Sequence, residues 1–199
     1  MRSDQSIPTL LPPKINLVMI GIGLVFCIQC LSHGARIIIA GLSITPEAQD
    51  LLGEYKTAAR FVTCDVAKWP DLQNLPVFSK KEFGAVPDVW VANAGIYEPA
   101  WSNFWDDSED DQGHYAAVSI NVEHPMKLTR IAIRSLLSEN KKGVVLCVSS
   151  LSGLRSKYGS VLYCATKHAI VGFVKGMGLA EDLEGVKVVA ICRGCVNRK

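Results

Sequence analysis

Tyr163 and Lys167 stand four residues apart in the run Tyr163-Cys164-Ala165-Thr166-Lys167, and Ser150 lies thirteen residues before the tyrosine. Residues at i and i+4 share one face of a helix, so this spacing sets an ammonium beside a phenol. A free tyrosine titrates near pH ~10 and is a poor acid–base group at neutrality. A neighbouring positive charge favours the phenolate, and a phenol tuned in that way can exchange a proton with an oxygen undergoing hydride transfer. Ser150 ends the apolar run Gly143-Val144-Val145-Leu146-Cys147-Val148-Ser149-Ser150, which would deliver a hydroxyl from a strand end to the same place. Tyr and Lys meet at this spacing on many helices by chance, so the pair needs support from the rest of the chain.

That support comes from the elements that must position it. Short, nearly continuous apolar runs at 15–20, 35–40, 60–64, 88–92, 143–149 and 186–191 predict strands covered on both faces. Between them, helices are expected at 24–32, 46–55, 69–83, 112–139 and 160–183, with Pro46 suited to a first helical turn. Strands alternating with helices predict an α/β fold, a doubly wound parallel sheet of the Rossmann type flanked by helices. Ligands in such folds bind beyond the carboxyl ends of the strands. No internal repeat or linker divides the chain, so one domain is expected over 14–199, preceded by an extension at 1–13 expected to be disordered.

Composition narrows the function. The chain has 199 residues, 49% of them hydrophobic, and a formal net charge of +2. No basic cluster forms a nucleic-acid footprint. Seven cysteines, an odd number, without a convincing signal peptide suggest reduced thiols in the cytoplasm. The CxxC spacings Cys27/Cys30 and Cys192/Cys195 have the form of zinc ligands, but no turn frames either pair, so no metal site is expected. The apolar stretch 15–31 is interrupted by Gly21, Gly23, Asn16 and Gln29, and reads as a buried strand and helix rather than a membrane span. The acidic run 106–111 reads as a solvated loop. Trp101, Phe104 and Trp105 beside it belong either to the core or to the lining of an apolar pocket.

Together these pieces resemble the short-chain dehydrogenase/reductase family over residues 14 to 199. Gly21-Ile22-Gly23 resembles the end of its glycine-rich cofactor turn, Asp65 its acidic residue near the adenine, and Asn93-Ala94-Gly95 its Asn-Ala-Gly signature. Asn121 matches its catalytic asparagine, Ser150, Tyr163 and Lys167 its catalytic three, and Gly194 the glycine of its Pro-Gly turn. The run through His168, with Gly172-Phe173, is most similar to the hydroxyprostaglandin-dehydrogenase-like branch.

The resemblance implies an NAD(P)-dependent oxidoreductase that interconverts a secondary alcohol and a ketone, with a small, largely apolar substrate and a possible homo-oligomeric state. Ser150 would bond the substrate oxygen, Tyr163 would exchange its proton, and Lys167 would favour the phenolate and bind the nicotinamide ribose. Asn121 would hold a water linking Lys167 to solvent. Gly21, Ile22, Gly23, Asp65, Asn93, Lys127 and Val196 would contact the cofactor.

Three departures from the pattern stand out. The first glycine of the turn is absent and the strand-to-helix connection is short, which weakens the phosphate cradle. Position 41, where a carboxylate would hold the ribose of NAD, is glycine, which favours NADP. Arg193 replaces the proline before Gly194, and the family's pattern continues past residue 199, so the domain reads as C-terminally incomplete. These departures keep open an alternative: a catalytically impaired fragment acting as a binding or interaction module.

Overall fold

A computed structural model describes residues 16–20 (backbone only), 23–106 and 113–194. Six strands form one sheet: β1 Asn16–Ile20, β2 Arg36–Gly41, β3 Ala59–Thr63, β4 Val89–Ala92, β5 Gly143–Ser150 and β6 Val186–Arg193. Their order is β3-β2-β1-β4-β5-β6 and every neighbouring pair is parallel. Parallel neighbours need crossover connections, and helices fill them. These are α1 Leu24–Ser32, α2 Pro46–Glu54, α3 Trp69–Phe83, α4 Ala116–Val118, α5 His124–Ser138, α6 Val161–Gly176 and α7 Ala180–Glu184.

Two apolar layers hold the sandwich together. On one face Leu72, Leu75, Leu128, Ala132, Leu136 and Ile170 from α3, α5 and α6 pack against Ile38, Trp90, Val145 and Cys147. On the other, α1 and α2 bring Cys27, Cys30, Leu31 and Leu51 against Ile37, Ile39 and Val91. Cys27 and Cys30 thus serve as small core hydrophobes, and burial pushes the Cys27 thiol up to about 12. Among the described residues no helix is long and apolar enough to cross a membrane.

Two expected helices differ from their simple form. The one expected over 112–139 is helical only from Ala116 and contains a π-helical turn, Ser119–Glu123, before α5. The one expected over 160–183 ends at Gly176, and α7 starts separately at Ala180. The aromatic residues 101–105 are not core: Trp101 is 73% exposed, and Phe104 and Trp105 about half.

Trp90 lies at the centre of the larger layer, fully buried, with its indole N–H donating to the Pro87 carbonyl at 3.0 Å. Trp90→Ala should cost about 3–5 kcal/mol in a denaturant titration followed by circular dichroism, since both a cavity and an unpaired carbonyl remain.

Candidate active site

The carboxyl end of β5 turns at Ser150 into a short 3-10 turn, Leu151–Gly153, with the Ser150 hydroxyl accepting from the Ser152 N–H at 3.1 Å. Helix α6 returns across this end and is pinned to it at two points. Lys167 Nζ donates to the Val148 carbonyl at 3.0 Å, and the Ser149 hydroxyl donates to the Lys167 carbonyl at 3.0 Å. Only glycine lets the two backbones come this close: a Cβ at Gly153 would stand 2.6 Å from the Lys167 carbonyl oxygen.

Tyr163 projects from the first turn of α6, with Lys167 Nζ 5.6 Å from its ring centroid. Its own N–H, one of the donors a helix start leaves unpaired, is satisfied by Glu98 Oε1 at 2.8 Å. The ring of Tyr97 lies against that of Tyr163, centroids 4.9 Å apart.

Lys167 is only 5% exposed. Burial, and then the Arg193 guanidinium, push its ammonium below the usual lysine range.

Asn121 is fully buried on the π-helical turn and braces the site from below. Its carbonyl accepts from the Ile96 N–H at 2.9 Å, and its amide donates to the Ile96 carbonyl at 2.8 Å and the Thr166 hydroxyl at 3.1 Å. The Thr166 hydroxyl in turn donates to the Tyr163 carbonyl at 2.8 Å. A Cβ at Gly95 would lie 3.1 Å from Asn121 Oδ1 and 3.4 Å from Lys167 Nζ, so the loop after β4 presses against both.

The structure therefore brings Asn121, Tyr163 and Lys167 together beside the Ser150 strand end. The other expected positions are dispersed along the same edge of the sheet. Asn93 sits half-buried directly after β4. Asp65 follows β3, where its carboxylate accepts from the Ala67 N–H at 3.1 Å and lies 3.6 Å from Lys68 Nζ. Lys127 Nζ is stacked over the Trp69 ring at 4.0 Å. Gly23 caps α1 without a side-chain bond. Gly21, Ile22 and Val196 lie outside the described residues.

Sequence reasoning passed over Glu98, Thr166 and Gly153. Thr166 carried a readable signal, being three residues from Tyr163 on the same helix. Glu98 carried none, because its role depends on a fold-back of the loop after β4.

A nicotinamide dinucleotide fits this donor set. The strand order reverses between β1 and β4, which opens a crevice at their carboxyl ends. Lys167 is held at the end of β5 and Tyr163 lies on the same helix, while Asp65 and the start of α1 follow β3 and β1. Residues 21–23 separate β1 from α1.

The comparisons agree with this geometry. The family model described as short chain dehydrogenase matches residues 18–199. Galactitol 2-dehydrogenase of Agrobacterium fabrum is 28% identical over 89% of this chain and 67% of its own length. Human 15-hydroxyprostaglandin dehydrogenase [NAD(+)] is 29% identical over 89% of this chain and 65% of its own. This chain thus spans about two thirds of the length of these curated relatives. A short-chain dehydrogenase structure from Streptomyces avermitilis superposes with a TM-score of 0.79 at 22% identity, over 94% of this chain and 68% of that one. An actinorhodin polyketide ketoreductase variant solved with NADPH gives 0.77 at 25%, over 92% and 71%. The fold is that of the dinucleotide-binding Rossmann class. More particularly, the chain belongs to the short-chain dehydrogenase/reductase family.

Two outcomes are expected at this site. Gly153→Ala should separate α6 from β5 and cost about 1–3 kcal/mol by thermal denaturation, because the clash is with backbone that has no rotamer to yield. His124, three residues after Asn121, is fully buried and donates through Nδ1 to the Ile120 carbonyl at 3.1 Å. Burial first, and the Lys167 charge to a smaller extent, hold its pKa down at about 4.

The unfolded chain would take up this proton near pH ~6.5, before the folded one does. Stability should therefore be full above that pH and fall as the pH drops toward about 4, by on the order of 3 kcal/mol. Melting curves of wild type and His124→Leu across that window test this; the variant should show the smaller pH slope.

Proposed function

We propose that the chain is an NAD(P)-dependent oxidoreductase that interconverts a secondary alcohol and a ketone, with Tyr163 as the general acid–base. The observation that carries this reading is the docked face of α6. It holds the Tyr163 phenol and the Lys167 ammonium together, with the ammonium fixed to the strand that ends in Ser150.

In oxidation, the Ser150 hydroxyl donates to the substrate oxygen while its own lone pair is held by the Ser152 N–H. Tyr163, as the phenolate that the Lys167 ammonium stabilises beforehand, takes the hydroxyl proton and becomes the neutral phenol as the hydride leaves the carbinol carbon. Thr166, itself held by Asn121, bonds the Tyr163 carbonyl, and Glu98 accepts from the Tyr163 N–H. Reduction runs the same proton path in reverse. When bound, the nicotinamide supplies the hydride acceptor or donor.

Lys167 and Tyr163 would hold the nicotinamide ribose, and Asn93, Gly21, Ile22, Gly23 and Val196 would line the dinucleotide. Asp65 would reach the adenine, and Lys127 the same side. Gly41 ends β2 with open space where a Cβ would stand, its nearest neighbour being the Ser43 carbonyl oxygen at 3.8 Å. The absence of a carboxylate there favours NADP over NAD. The substrate is a small alcohol or ketone with a largely apolar body, suited by the exposed rings of Tyr97, Trp101, Phe104 and Trp105. The unpaired cysteine thiols suit a cytoplasmic location.

A second reading, a binding module without turnover, draws on the three-residue connection between β1 and α1, which leaves little backbone to wrap a pyrophosphate. Titration with NADPH and NADH, followed by nicotinamide fluorescence, separates the two readings. Saturable binding with preference for NADPH is expected. Tyr163→Phe should keep that binding and lose about 10²–10⁴ in kcat; full turnover in the variant would remove Tyr163 from the mechanism.

A further inference from the structure

Arg193 is the last residue of β6 and the register partner of Ser150, the last residue of β5. Partners in parallel strands leave the sheet on the same face, so the guanidinium and the Ser150 hydroxyl start from adjacent points at its carboxyl edge. The segment is held there: a Cβ on the following residue, Gly194, would stand 3.5 Å from Leu151 Cδ1, in the turn that Ser150 caps. The Arg193 side chain is exposed, and among the described residues no ion pair or hydrogen bond engages it. Its charge is felt by Lys167 across the site. Arg193 thus adds a second cation at the sheet edge that carries Ser150. The acid tied into the site, Glu98, is turned toward the α6 backbone instead.

We infer that Arg193 selects a substrate that carries a carboxylate close to the reacting carbinol or ketone carbon, so that the substrate class is a hydroxy acid and its oxo acid. The inference rests on the oxidoreductase reading above but concerns recognition, which can be measured without turnover. A guanidinium offers a planar fork that takes both oxygens of a carboxylate at once. With Ser150 and Tyr163 on the neighbouring oxygen, the carboxylate fixes which face of the substrate carbon is presented. The exposed rings beyond Tyr163 accept the apolar remainder: Tyr158 lies 4.7 Å from Trp105, and Phe104 5.0 Å from Trp105, centroid to centroid.

The test uses a matched pair of probes, 4-phenyl-2-oxobutanoate and its ethyl ester, with wild type, Arg193→Gln and Arg193→Lys. Calorimetry on the cofactor-saturated chain gives affinity, and NADPH oxidation gives turnover. Wild type is expected to bind the acid about tenfold or more better than the ester. Arg193→Gln should bring that ratio to about one, and Arg193→Lys should restore part of it, since an ammonium supplies the charge without the fork. Equal affinity for acid and ester, failure to bind either, or an unchanged ratio in Arg193→Gln would overturn the inference. Selective acid binding without turnover would uphold anion recognition by Arg193 while sinking the oxidoreductase reading.

Discussion

Lys167 must keep an ammonium beside a phenol while almost wholly withdrawn from water, and the Val148 carbonyl makes that position tenable. An unpaired buried ammonium would simply give up its proton. Because the partner is a backbone carbonyl near the end of β5, the cation is referenced to the sheet rather than to a mobile side chain. The rest of the site follows from that attachment. Ser149 bonds back to the Lys167 carbonyl, and Gly153 keeps clear the volume that a side chain would fill between helix and turn. The close approach of Gly95 adds the loop after β4 to the same knot. Displacing the helix would therefore disturb the ammonium, the phenol and the strand end together.

This arrangement explains which parts of the molecule were legible in the sequence. The strands around β2, β4, β5 and β6 read clearly because burial on both faces writes an uninterrupted apolar run. Tyr163 and Lys167 were legible because their relation is local to one helix. The π-helical turn was not, since it exists where Asn121 reaches out to both backbone groups of Ile96, twenty-five residues earlier. Extra-wide turns of this kind recur at functional sites and are set by tertiary bonds rather than by propensity. The break after α6 had a local signal in Gly176 and Gly178, but helical periodicity on both sides outweighed it. The aromatic residues at 101–105 could be assigned to core or pocket only once the loop's position was known, because apolarity alone does not say which way a ring faces.

Lys167 and His124 also show where stability has been set against function. Both are polar groups buried close to the site, and burial disfavours the charged form of each. His124 keeps one bond, to Ile120, and its Nε2 has no partner among the described residues. A hydrophobic residue would fill that volume without leaving an unmatched nitrogen, so the position is costly as packing. Such local inconsistencies concentrate at sites whose arrangement serves chemistry more than stability.

The two halves of the crevice are built from separate contacts, and this separates affinity from chemistry. Every bond that positions Tyr163, Lys167 and Asn121 comes from α6, the end of β5, the π-helical turn or the loop after β4. Among the described residues, none comes from β1 or α1. Those elements border the opposite side, where helix N–H groups and a glycine turn ordinarily take up phosphate charge. On the proposed reading, a short link weakens the grip on a dinucleotide without moving Tyr163. Arg193 enters from the Lys167 side of the sheet, since β6 is separated from β1 by β4 and β5. On that reading, a lean phosphate side and an intact proton-transfer side are compatible in one sheet, because the parallel register carries position across the strands while each helix packs on its own part of it.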